Sequence, residues 1–118
     1  MTEALNYRGK KAAGDYLMFV HQDIELCSDS WLCSTEDMLN AIPNLGIAGV
    51  AGISENGATH HERCRNLIKI GAEATIWGNP IREPELVQTL DECLVIIPKS
   101  AFDVMQLAMP NLKASVLA

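Results

Sequence analysis

The sequence predicts an α/β fold, an open and mostly parallel sheet flanked by helices, on three observations. Helix-like and strand-like segments alternate through its first half. Tyr16-Leu17-Met18-Phe19-Val20 is a continuous apolar run too short for a helix after Gly14, as a strand buried on both faces reads. Ile47-Ala48-Gly49-Val50-Ala51-Gly52 is a second such run, built from small residues that let another backbone or a ligand come close.

Each element has its own local reason. Residues 2–13 offer Thr2 as an N-cap, Glu3 in the first turn, Lys10 and Lys11 in the last, and Gly14 as a stop, which is a short helix. Asp29 or Ser30 caps a second helix, whose Trp31, Thr35, Met38, Leu39 and Ile42 recur at three- and four-residue spacing until Pro43-Asn44-Leu45-Gly46. Residues 54–66 are polar, with an Asn56-Gly57 turn signal and no usable period, and read as a loop. Leu67–Ile70 and Ala74–Trp77 read as short strands around Gly71, and Leu86–Leu90 and Cys93–Ile97 as strands around Asp91-Glu92. Ser100-x-x-Asp103 resembles a capping box opening a helix that carries Phe102, Met105 and Leu107 and ends at Pro110; the tail beyond gives no signal.

The 118 residues allow one domain at most, short for an enzyme that must hold two substrates. An apolar share of 48% and a charged share of 20% are those of a globular chain with a core. A net charge of -6 argues against a nucleic-acid partner, whose phosphates need neutralising, while a small anion can still bind through a metal ion. No apolar run approaches the roughly 20 residues of a membrane span, and the first residues lack the apolar core of a secretory signal, so a cytoplasmic location is expected. The four cysteines are expected to be free thiols there. His60, His61 and Cys64 lack the four-ligand spacing of a structural zinc site, and no phosphate-cradling glycine loop or nucleophile elbow is present. Trp31 and Trp77 read as core residues.

The polar residues that end the first strand, His21-Gln22-Asp23, fall at a strand's carboxyl end, where open α/β sheets bind ligands. A carboxylate there offers hard oxygen to a divalent ion, though a solvated turn residue reads the same way. The whole segment Ala13-Gly14-Asp15-Tyr16-Leu17-Met18-Phe19-Val20-His21-Gln22-Asp23 resembles one found in family 2 glycosyltransferases of the GT-A type, which ends in a metal-binding DxD-like motif. Together with Ile47–Gly52 and Val87–Pro98, in that order, it is similar to the glycosyltransferase-like subgroup related to streptomycin-biosynthesis StrF proteins. The resemblance implies a partial GT-A fold over residues 1–118 and transfer of a sugar from a nucleotide-sugar donor to an unknown acceptor. It implies that Asp23 binds Mn²⁺ or Mg²⁺, that His21, Gln22 and Asp23 lie at the donor, and that Asp91 stands near the donor sugar or acceptor as the candidate catalytic residue. His21 replaces the usual acid, leaving ribose contact, second metal ligand and bystander open. Asp91 and Glu92 also read as plain turn acids, and Gly49 and Gly52 as strand packing.

A complete domain of that family begins with a strand-helix-strand portion that binds the nucleotide base and continues to a later acidic motif. This chain matches neither, so a truncated domain is expected. A sheet edge left uncovered makes self-association into a homo-oligomer the expected behaviour of a second reading, a non-catalytic scaffold of the same fold.

Overall fold

The computed structural model describes residues 2–72, 75–105 and 114–117. Its helices are α1 (Thr2–Lys11), α2 (Trp31–Ala41), α3 (His60–Arg63) and α4 (Lys99–Met105). The strands are β1 (Tyr16–Val20), β2 (Ile47–Gly49), β3 (Gly52–Ile53), β4 (Cys64–Arg65), β5 (Ile68–Ile70), β6 (Thr75–Trp77), β7 (Glu85–Val87), β8 (Thr89–Leu90), β9 (Leu94–Pro98) and β10 (Ala114–Val116). The α/β class is as expected, but the sheet is not mostly parallel. Its five strands run in the order β1-β9-β2-β10-β7, and only β2 and β10 pair in parallel.

The reason is the placement of β9. It starts from the turn at Asp91–Cys93, at the end of the sheet where β1 and β2 finish, and so runs against both. Leu94, Ile96 and Ile97 are buried, making β9 the strand with cover on both faces. On one face α2 brings Leu39 onto Ala48, Leu94, Ile96 and Leu117, with Trp31 and Met38 packed alongside as the helical spacing predicts. On the other, Phe102 of α4 fills the space over Leu17 and Ile97, its ring 6.2 Å from that of Phe19. The contiguous apolar patterning of β1 suggested burial on both faces, yet β1 is an edge strand, with Met18 40% and Val20 44% exposed.

α1 packs on α4 through Gly9. Gly9 is its buried residue, and a Cβ there would stand 2.3 Å from Cζ of Phe102, so only glycine lets the helix lie against that ring. Lys99 Nζ donates to the Gly9 carbonyl at 2.8 Å and ties α1 to α4.

The second apolar run breaks after Gly49, and β3 joins a separate three-stranded sheet, β4-β3-β8. Gln88 breaks the predicted strand at 86–90 in the same way, leaving β7 in the large sheet and β8 in the small one, while its own N–H donates to Ile53 O at 2.9 Å. β5 and β6 form a two-stranded hairpin. The stretch read as a loop holds α3, whose N-terminus has a full capping box: Thr59 Oγ1 accepts from Glu62 N, and Glu62 returns to the Thr59 N–H. Ser30 caps α2 without a side-chain bond. α4 begins at Lys99, so Ser100 lies within it; Asp103 pairs with Lys99 at 3.0 Å instead of closing a capping box. Leu107 and Pro110 lie outside the described residues. The tail supplies β10 in the interior of the large sheet.

Phe102 is 1% exposed. Replacing it by alanine is expected to cost about 3–5 kcal/mol, read from the shift in urea midpoint. Val104→Ala, at a position 82% exposed, is expected to change stability by less than about 0.5 kcal/mol.

Candidate functional site

β1, β2 and β10 all finish at one end of the large sheet, and β9 begins there. The backbone beyond β1 folds into a tight turn, with Ile24 N–H donating to His21 O at 3.2 Å and Gln22 and Asp23 at its tip. His21, Gln22 and Asp23 are all exposed. His21 N–H donates to Cys93 O at 2.9 Å, fastening this turn to the one that precedes β9.

The Asp91–Cys93 turn is held at its other side by Asp91 N–H, which donates to Ala51 O at 2.9 Å. Within it Asp91 Oδ1 accepts from Cys93 N–H, also at 2.9 Å, an Asx-type bond that closes the turn without β-sheet pairing. The structure therefore brings His21, Gln22, Asp23 and Asp91 to one end of the sheet, joined through backbone rather than through side-chain contact. Asp91 is exposed, and with one oxygen taken by Cys93 N–H its other oxygen has room for an outside donor.

Asn66 fastens the remaining corner. Its Nδ2 donates to Val50 O and to Leu117 O, both at 2.8 Å, linking the ends of β2 and β10. It holds a left-handed backbone, φ 71°, which asparagine tolerates better than most residues. Sequence reading passed over this residue; the available signal was an asparagine closing a polar stretch before an apolar one. Gly49, read as room for a ligand or as strand packing, is packing: a Cβ there would meet Leu90 Cδ2 at 3.0 Å and Leu94 O at 3.3 Å.

Two arginines near this end are already committed. Arg63 Nε donates to Ser54 O at 2.7 Å and Arg63 Nη2 to Gln88 Oε1 at 2.7 Å. Arg65 pairs with Glu85 at 2.9 Å and donates to Glu62 O and Asn56 O. Both guanidinium groups brace the small sheet and its loop. Cys64, near His60 and His61, is buried and its thiol donates to His60 O at 3.2 Å. All four cysteines are free thiols.

Among the described residues no three His, Cys, Asp or Glu side chains stand close enough together to hold a metal ion. Mg²⁺-like ions in nucleotide sites take one or two carboxylates, the remaining positions going to phosphate oxygen and water. Asp23, exposed at the tip of a turn, has the oxygen chemistry such a position takes.

No protein-family model matches this chain, and no curated protein sequence matches it either. Among the described residues no helix is long and apolar enough to cross a membrane.

Cys93 reports directly on the geometry of the turn. Burial first, then its hydrogen bond to the Asp91 carboxylate and that group's charge, push the thiol up to about 11. At pH 8 only roughly one such thiol in a thousand is ionised, so iodoacetamide is expected to modify exposed Cys27 and Cys33 well before Cys93. Asp91→Asn removes the carboxylate and its charge. It should lower the pH at which Cys93 becomes reactive, as followed by mass spectrometry across a pH series.

Proposed function

We propose that this chain is a glycosyltransferase-like domain that engages the diphosphate of a nucleotide-sugar donor at the end of the sheet formed by His21–Asp23 and Asp91. The observation that carries the reading is the pair of backbone bonds, His21 N to Cys93 O and Asp91 N to Ala51 O. They set two acid-bearing turns on one rigid strand end. Sites built on strand ends hold their geometry better than sites on free loops. The likeness of the segment Ala13–Asp23 to the donor-binding segment of family 2 glycosyltransferases supplies the reaction class, and the residues supply the roles.

Asp23 would hold Mn²⁺ or Mg²⁺ together with the donor's phosphates. When bound, the ion neutralises charge growing on the diphosphate as the bond to the sugar breaks. Gln22, exposed at the tip of the same turn, offers its amide to the donor. His21 is fixed by its backbone bond at the base of the same turn, where its ring is open to a ribose hydroxyl or to the phosphate. Asp91 uses one oxygen to close its own turn and offers the other to a hydroxyl of the sugar or of the acceptor, accepting its hydrogen bond and drawing off its proton as the new bond forms. Asp23, Asp91 and Glu92 make this end acidic, with Arg8 of α1 in the adjoining cleft, so binding of a nucleoside diphosphate should require the divalent ion.

Calorimetric titration of UDP in the presence of Mn²⁺ tests this. Heat is expected with the metal and not without it, and Asp23→Asn should weaken binding at least about tenfold, while Asp91→Asn leaves diphosphate affinity nearly unchanged. Binding that ignores both the metal and Asp23 would end this reading.

A further inference from the structure

Among the described residues β1 pairs only with β9, so the outer row of its backbone N–H and C=O groups has no strand beside it. Edge strands are normally protected by a charge, a proline or a bulge. Tyr16–Val20 carries none of these, and its Met18 and Val20 are both substantially exposed.

Two clefts bracket the same edge. The larger, about 580 Å³, has Leu5, Gly9 and Ala12 of α1 on one wall and β1 on the other. Every residue from Tyr16 to Val20 lines it. It also takes in Val95 of β9, so it runs along β1 and onto the sheet face beside it. The smaller, about 200 Å³, lies on the α2 side between Tyr16 and Met18 and the helix residues Trp31, Leu32 and Thr35. Thr35 Oγ1 is buried there with no hydrogen-bond partner. An extended strand laid against β1 would place alternate side chains in the two clefts.

We propose that the occupant is a second copy of this chain, its β1 adding antiparallel to this one about a two-fold axis through Met18, so that two five-stranded sheets become one. Charge selects this partner. The start of β1 follows Lys10 and Lys11, with Asp15 beside it, whereas Asp23 and Glu25 come after its end and Glu92 lies in the turn bonded to that end. An antiparallel two-fold sets the basic start of each copy beside the acidic end of the other, and the favourable contact occurs twice because the interface is self-complementary. In that register Leu17 lies opposite Phe19, Tyr16 opposite Val20 and Met18 opposite Met18, so apolar residues meet in the middle. Cross-strand pairs of these kinds are the ones that stabilise sheets. The two His21–Asp23 turns then stand at opposite ends of the joined edges.

Sedimentation velocity on the intact chain over a concentration series should show a species of twice 12.9 kDa that grows with concentration. Met18→Lys puts two like charges on the axis and Val20→Lys puts a charge on each flank; both positions are exposed, and circular dichroism checks that each variant is folded. Each should give a monomer, whereas Ile76→Lys, on the exposed hairpin, should leave the dimer intact. In the unaltered chain, amide exchange within residues 16–20 should slow as concentration rises, a readout that needs no variant. A monomer at every concentration would overturn the proposal. So would a dimer that survives both β1 lysines, or one that Ile76→Lys dissolves.

Discussion

The direction of β9 is the constraint on which the rest of the structure depends. It lies between β1 and β2, and its residues Leu94, Ile96 and Ile97 are buried from both sides, so α2 and α4 can each find an apolar face only because β9 is there. Running opposite to its neighbours, it must begin where they end. That single requirement draws the turns after β1, after β2 and before β9 into one corner. The polar residues of those turns are close together as a consequence of sheet topology, before any ligand is considered. The small sheet continues the same logic: once Val50 O is taken by Asn66 and Ala51 O by Asp91 N–H, the chain after β2 can no longer follow the large sheet, and β3 turns away to pair with β4 and β8.

The corner is stabilised almost wholly by backbone and amide hydrogen bonds, which leaves its carboxylates exposed. Exposed charges keep their hydration in the folded chain and remain open to partners from solution, while the bonds beneath them keep the turns in place. Arg63 and Arg65 work the other way. Their guanidinium groups are spent on the Ser54, Asn56 and Glu62 carbonyls and on the Gln88 and Glu85 side chains, so their positive charge serves the fold.

Several elements could be read directly from the sequence. α1, β1, α2 and β9 were legible because each carries a short apolar run or a regular helical stripe with a breaker at its end. The corner itself was partly legible: His21-Gln22-Asp23 and Asp91 were singled out as polar residues closing apolar runs, and the fold brings those positions to one end of the sheet. What failed was strand direction. A run such as Tyr16–Val20 looks the same whether its neighbour is parallel or antiparallel, and whether it is central or at an edge, because pattern reports hydrophobicity and not pairing. Ala114–Val116 was passed over because three small residues give no periodicity, and the capping box at Thr59 and Glu62 was hidden inside a stretch dismissed for its polarity. Asn66 was invisible for a different reason: its role comes from two carbonyls, Val50 and Leu117, that are far from it and from each other in the chain.

α1 meets α4 through a bare backbone face over Phe102 and through the Lys99 ammonium on the Gly9 carbonyl, with Leu5 and Asn6 half-buried along the same helix. A side chain at position 9 would have to displace the ring that fills the space over Leu17 and Ile97, so one backbone position couples the first helix to the core of the sheet.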